Sequence, residues 1–117
     1  MRLDIPMAAA ATPSPIVPPE LLDSVVAYFR PRRVILFGSV ARGDAGPDSD
    51  IDLLVELDDD APPEKLTLKA GYESRRAFHR PVDVIPCRAS ILASRARAIG
   101  SFAHIVLRDG VVVYERP

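Results

Sequence analysis

The sequence predicts an α/β (α+β) domain, a small mixed β-sheet flanked by helices. Three observations predict it. Short runs rich in branched apolar residues recur at Arg33, Asp50, Pro81 and Val111, each of strand length. The first two become continuously apolar, the pattern of strands buried on both faces, which needs helices on either side of the sheet. Between the runs lie segments with apolar residues at helical spacing or with Ala- and Arg-rich composition.

The elements follow in order. Residues 1–18 carry Pro6, Pro13, Pro15 and Pro18, the run Ala8 to Ala11 and no sustained period, so a flexible Pro/Ala-rich lead-in is expected there, with the domain over 19–117. Pro19 suits the first turn of a helix. Leu21, Leu22, Val25, Val26 and Phe29 then mark one helical face, ending before Pro31. Residues 33–38 form a first strand, and 40–44 one or two helical turns. Residues 45–49 are a loop by turn chemistry, and 50–57 a second strand. The triple Asp58, Asp59, Asp60 before two prolines reads as a solvated loop. Residues 63–79 are expected to be one half-exposed helix with a thin stripe of Leu66, Ala70 and Ala77. His79 would cap its end. A third strand spans 82–85 and stops at Pro86, leaving Cys87 just outside it. Residues 89–107 read as a helix pair broken near Gly100, and 111–114 as a last strand after the Asp109–Gly110 turn.

Composition narrows the function. A length of 117 residues fits one domain. Its 15 Lys plus Arg against 16 Asp plus Glu give a formal charge of −1, which argues against a dedicated nucleic-acid binder. A single cysteine, Cys87, excludes an internal disulfide framework. The apolar runs are too short for a membrane span, and the first residues lack the pattern of a secretory signal. A cytoplasmic setting is expected. The near-neutral total hides a polarity: from Asp44 to Glu64 there are nine acidic residues and no Lys or Arg, whereas 65–117 carries ten basic against four acidic ones. Such runs can be plain solvated faces, or the carboxylates can converge on a counter-ion.

The chemistry concentrates in residues 38–55. A buried strand ends in Gly38-Ser39 and leads into a helix start, where free N–H groups favour a phosphate. Alone this is weak evidence, and the Gly-Lys-Ser/Thr ending of a P-loop is missing. Asp50 and Asp52 stand two apart, so on a strand both carboxylates share one face. Side by side they repel unless a cation lies between them, and hard oxygens suit Mg²⁺ shared with substrate phosphates. The plainer alternative has Asp50 capping a turn and Asp52 solvated. Asp83 lies between Val82 and Val84, a poor place for a charge, and reaches the same face if its strand pairs beside the second. Arg42 adds a neighbouring cation.

These residues resemble a known family. Gly38-Ser39, ten residues, then Asp50-x-Asp52 is similar to the Gly-Ser-x10-Asp-x-Asp signature of nucleotidyltransferases related to DNA polymerase beta. The fuller text Gly-Ser-x-Ala-Arg-Gly…Ser-Asp-Ile-Asp-Leu-Leu-Val resembles the minimal nucleotidyltransferase (MNT) branch, and Val-Asp-Val-Ile resembles the strand of its later aspartate. The resemblance covers about residues 19 to 115. It implies a polymerase beta-like nucleotidyltransferase fold, and Gly38, Ser39 and Arg42 as nucleotide-binding residues. Asp50, Asp52 and Asp83 would be at once catalytic and the ligands of a two-metal Mg²⁺ site. The implied reaction is attack on the α-phosphate of a nucleoside triphosphate, ATP for an AMP transfer, with pyrophosphate leaving.

It also implies a partner. Short MNT proteins resemble antitoxins that pair with a HEPN-family toxin and adenylylate a tyrosine on it, which would place this chain in a hetero-oligomer. Few residues lie beyond the expected core, so the acceptor is expected on an exposed face or from a partner, with the basic stretch from Arg75 to Arg108 as a docking surface. The alternative is a catalytically silent module that neutralises its partner by binding alone. The joint presence of Gly38-Ser39, Asp50, Asp52 and Asp83 argues against decay.

Overall fold

The structure, a computed structural model, describes residues 17–43, 46 and 49–117. Its elements are α1 (Pro19–Phe29), β1 (Arg33–Phe37), α2 (Gly38–Arg42), β2 (Ile51–Leu57), a 3-10 turn (Pro63–Leu66), α3 (Leu68–Glu73), β3 (Val82–Arg88), α4 (Ala89–Ala96), α5 (Phe102–Asp109) and β4 (Val111–Glu115). The four strands form one mixed sheet in the order β3-β2-β1-β4. β1 pairs antiparallel with β2 and with β4, and β2 pairs parallel with β3. The predicted fold class is the observed one.

Alternation on the strands divides the core in two. One face presents Val34, Leu36, Ile51, Leu53, Val55 and Val84 to Leu21, Val25 and Phe29 of α1 and to Ala70 of α3. The other presents Ile35 and Leu54 to Leu92 of α4 and to Ala103 and Val106 of α5. β2 is therefore buried on both sides, as its unbroken apolar run requires. α1 begins on Pro19 and ends on Arg30, whose left-handed backbone (φ 50°) lets its N–H reach the Val26 carbonyl at 2.8 Å. Of the expected lead-in, residues 1–16 lie outside the described residues; Val17 is buried in the core, only 2% exposed. Residues 45, 47 and 48 of the expected loop also lie outside them, while Gly46 N–H donates to Ser49 Oγ at 2.9 Å. Among the described residues no helix is long and apolar enough to cross a membrane.

Four expectations are corrected. The helix over 63–79 is a 3-10 turn and the short α3, because Thr67 intervenes in an extended conformation and caps α3 by accepting the Ala70 N–H at 3.0 Å. Helical phase restarts there, so Ala77 is exposed and Phe78 packs on the core instead. His79 accordingly caps no helix and lies in the loop before β3. Pro86 does not stop β3, which runs to Arg88 with Cys87 inside it; β3 is an edge strand, where a missing N–H is tolerated. Burial there pushes the Cys87 thiol pKa up. The Asp58–Asp60 triple is also more than a solvated loop. Asp58 takes both arms of Arg116 at 2.9 and 3.0 Å, and Asp59 Oδ1 accepts the Ser90 N–H at 2.9 Å in the first turn of α4. Each contact holds its carboxyl below the usual aspartate range.

At one end of the sheet Arg33 lies between Glu56 on β2 and Glu115 on β4, its register partners. Arg33 Nε donates to Glu56 Oε1, and Glu56 is buried. Arg33→Leu would leave that carboxylate buried without its donor and should cost about 2–3 kcal/mol. Arg33→Leu combined with Glu56→Leu should recover most of it. Urea unfolding of both variants checks this, and a double variant no better than the single would contradict it.

Candidate active site

The opposite end of the sheet carries the acidic residues. Asp52 enters β2 directly across from Phe37 on β1 and from Asp83 on β3. Because β2 and β3 are parallel and in this register, Asp52 and Asp83 project from the same face of adjacent strands. That is the face of Ile35 and Leu54, but beyond the cover of α4 and α5, whose last contact toward this end is Phe102, edge-on to Phe37 at 5.3 Å. The end of the strand is thus left open, and the two carboxylates stand at it. Asp50 lies one residue before the strand and is exposed.

The charges of Asp83 and Asp50 both act on Asp52. Burial, then the charges of Asp83 and Asp50, then a hydrogen bond with Asp83, hold the Asp52 carboxyl above its usual range. All four causes point the same way, as for carboxylates crowded together.

Gly38 explains the glycine of the motif. It opens α2 at φ +78°, a backbone that side chains resist. A Cβ placed there would also run into the Asp52 carboxylate, its Oδ2 first. The turn therefore lies directly against Asp52, and a side chain at position 38 would have to displace its carboxylate. Ser39 follows in α2 and is half-buried. Arg42, in the last turn of α2, is exposed and its charge acts on Asp109. It lines a small cleft with Gly38 and Phe102 rather than the pocket of the carboxylates.

That pocket is an open cleft of about 540 Å³ that takes in Asp52, Asp83 and Phe37 and continues past the edge of β3 to Leu68, Tyr72 and Arg75. Of the last three, sequence reasoning named only Arg75, as the start of the basic stretch expected to dock a partner. Tyr72 stands off the expected stripe of Leu66, Ala70 and Ala77 because it faces solvent.

The sequence profile of the nucleotidyltransferase domain family matches residues 19–103, most of the chain. The chain belongs to this family. The matched stretch includes α1 to α4, β1 to β3 and Asp50, Asp52 and Asp83, and ends at the start of α5. Its fold is similar to a crystal structure from Sulfolobus solfataricus described as a "putative nucleotidyltransferase", with a TM-score of 0.53 and 24% identity over 83% of this chain and 76% of that one. At that identity the likeness is one of fold. Among curated proteins no match was found.

The donor set of this nucleotidyltransferase domain fits a divalent cation by its chemistry, since hard oxygens that repel one another are what such an ion relieves. Among the described residues no group of three or more His, Cys, Asp or Glu side chains is already drawn into a metal cage. Mg²⁺ does not need one: it is commonly held by one or two carboxylates together with substrate phosphates and water. Asp50 and Asp83 are exposed and have room to turn.

Two outcomes test this geometry. Gly38→Ala should lower stability by about 1–3 kcal/mol through the strained backbone and the displaced carboxylate; an unchanged urea midpoint would contradict the close packing. The second concerns pH. Asp52 titrates higher in the folded chain than in the unfolded one, so its contribution to stability is fully present below its unfolded value near 3.8 and is lost as pH rises through the raised folded value. Without metal, Asp52→Asn should therefore raise Tm by a few degrees at neutral pH, the gain vanishing below about pH 4. A variant less stable than the parent at neutral pH would mean that the carboxylates do not repel.

Proposed function

We propose that the chain transfers AMP from ATP, in a Mg²⁺-dependent reaction, to a hydroxyl on a partner protein. Nucleotidyl transfer in general follows from the family. The observation that carries the finer reading is the cross-strand pair Asp52–Asp83 with the positive-φ Gly38 turn directly against the Asp52 carboxylate.

The roles divide by position. Gly38 lets the triphosphate come close to the backbone, and Ser39 offers its hydroxyl to a phosphate oxygen. Arg42 supplies a cation on the same short helix. Asp50, Asp52 and Asp83 would hold the metal ions. When bound, two Mg²⁺ would offset the charge developing on the attacking and leaving oxygens. The acceptor oxygen forms a bond to the α-phosphorus as the bond from that phosphorus to the bridging oxygen breaks. Pyrophosphate leaves, and the acceptor proton passes by way of Asp83 to solvent. Positioning and charge carry most such transfers, so a hydroxyl held over the carboxylates suffices.

The acceptor proposed is a tyrosine of a HEPN-family toxin, which makes this chain its antitoxin. Support comes from the resemblance of Gly38 to Gly43 and Ser49 to Val55 to the minimal nucleotidyltransferase branch. Mixing the protein with a candidate toxin, ATP and Mg²⁺ and weighing the toxin by intact-mass spectrometry tests it. One added AMP, absent with Asp50→Ala or Asp52→Ala, is expected. A tight complex with no mass change would leave the silent binding module in its place.

A further inference from the structure

We infer that the apolar cavity between the sheet and the α4–α5 pair binds a medium-chain fatty acid, with its carboxylate on Arg95 and its chain inside. This is independent of the transfer reaction proposed above and gives the domain a second ligand.

The cavity is built on the sheet face opposite α1. Leu54 of β2 and its register partner Ile85 of β3 form the floor, and Cys87 extends it along β3. Leu92 of α4 and Phe102 of α5 supply apolar walls. Ala98 and Ala103 are too short to fill what remains, about 460 Å³. That volume falls within the roughly 300–1,000 Å³ of small-molecule sites, which are mostly apolar with a few placed polar groups. Phe102 is 52% exposed, an apolar surface that an occupant would take out of water.

The polar groups of the lining define the head of the ligand. Ser101 is already committed: its Oγ donates to the Arg95 carbonyl at 2.8 Å and accepts the His104 N–H at 3.1 Å. The Cys87 thiol donates to the Arg88 carbonyl at 3.5 Å. Arg95 is different. Among the described residues its guanidinium meets no carboxylate and no acceptor, while its charge is felt at Cys87. One uncommitted cation on an apolar cavity suits a ligand with one negative charge and an apolar body. A nucleobase needs several hydrogen-bond partners in its plane, and a triphosphate needs several cations. The lining is aliphatic apart from Phe102, which favours a chain over a ring system.

The neighbouring cleft sets the orientation. Ile85 also lines the pocket of Asp52 and Asp83. Those carboxylates repel an anionic head, so the head lies at Arg95 and the end of the chain points toward Ile85.

The probe is decanoate, kept below its micelle concentration and titrated calorimetrically into the full chain. The same titration is made with Arg95→Gln, a change at an exposed position that spares the core. Affinity should rise about threefold per methylene from hexanoate to decanoate, and decanoate should bind about tenfold more tightly than decanol. Arg95→Gln should abolish that preference and leave decanol binding unchanged. Cys87, the single thiol of the chain, reports the location. Decanoate should slow its alkylation, followed by intact mass, in proportion to the fraction bound, and Mg²⁺-ATP should not. A parent chain that binds no decanoate, or binds decanol equally well, would overturn the inference. So would an Arg95→Gln variant that keeps the preference, or a Cys87 thiol that decanoate does not protect. Protection of Cys87 by Mg²⁺-ATP would overturn it as well, by making the cavity part of the nucleotide's own site.

Discussion

Two carboxylates facing each other across parallel strands are the constraint around which this domain is arranged. Asp52 and Asp83 are register partners on β2 and β3, and Asp50 adds a third charge within range. Such a group costs stability unless something cationic joins it. The fold accepts that cost by surrounding it with rigid parts. β2 is buried on both faces, α1 and α3 back one of them, and α4 and α5 back the other up to Phe102. The carboxylates therefore cannot relax by letting the strand move; only their side chains can turn.

The two ends of β2 make the point by contrast. At one end Glu56, though buried, meets Arg33 across the ladder, and Glu115 approaches the same arginine from β4. Four residues earlier, next to the start of the strand, Asp52 meets two more carboxylates. One strand thus carries a charge paired across the ladder at one end and a carboxylate crowded by others of its own sign at the other. The glycine turn belongs to the second end. Gly38 serves both a positive φ and the approach of Asp52, so the glycine turn and the acidic pair are fixed relative to each other.

Much of this was legible in the sequence because it is written locally. Continuous apolar runs located β1 and β2, and Asp50-x-Asp52 with Asp83 in an apolar strand located the acidic end. What was not legible depends on neighbours far along the chain. Pro86 reads as a stop unless β3 is known to be an edge. Asp58 reads as solvated until Arg116, 58 residues on, closes over it. The 63–79 segment reads as one helix because the capping role of Thr67 needs the chain to bend there. Leu68, Tyr72 and Arg75 carry no motif, and their place beside the carboxylates exists only once α3 lies against β3.

The central claim is that the acidic end is incomplete without a divalent cation and a triphosphate. Calorimetric titration of ATP into the protein, with Mg²⁺ and then with chelator, tests it most directly. The account predicts binding that needs Mg²⁺ and is lost in Asp52→Asn while the fold is kept. Equal affinity in chelator, or an Asp52→Asn variant that binds Mg²⁺-ATP as the parent does, would contradict it.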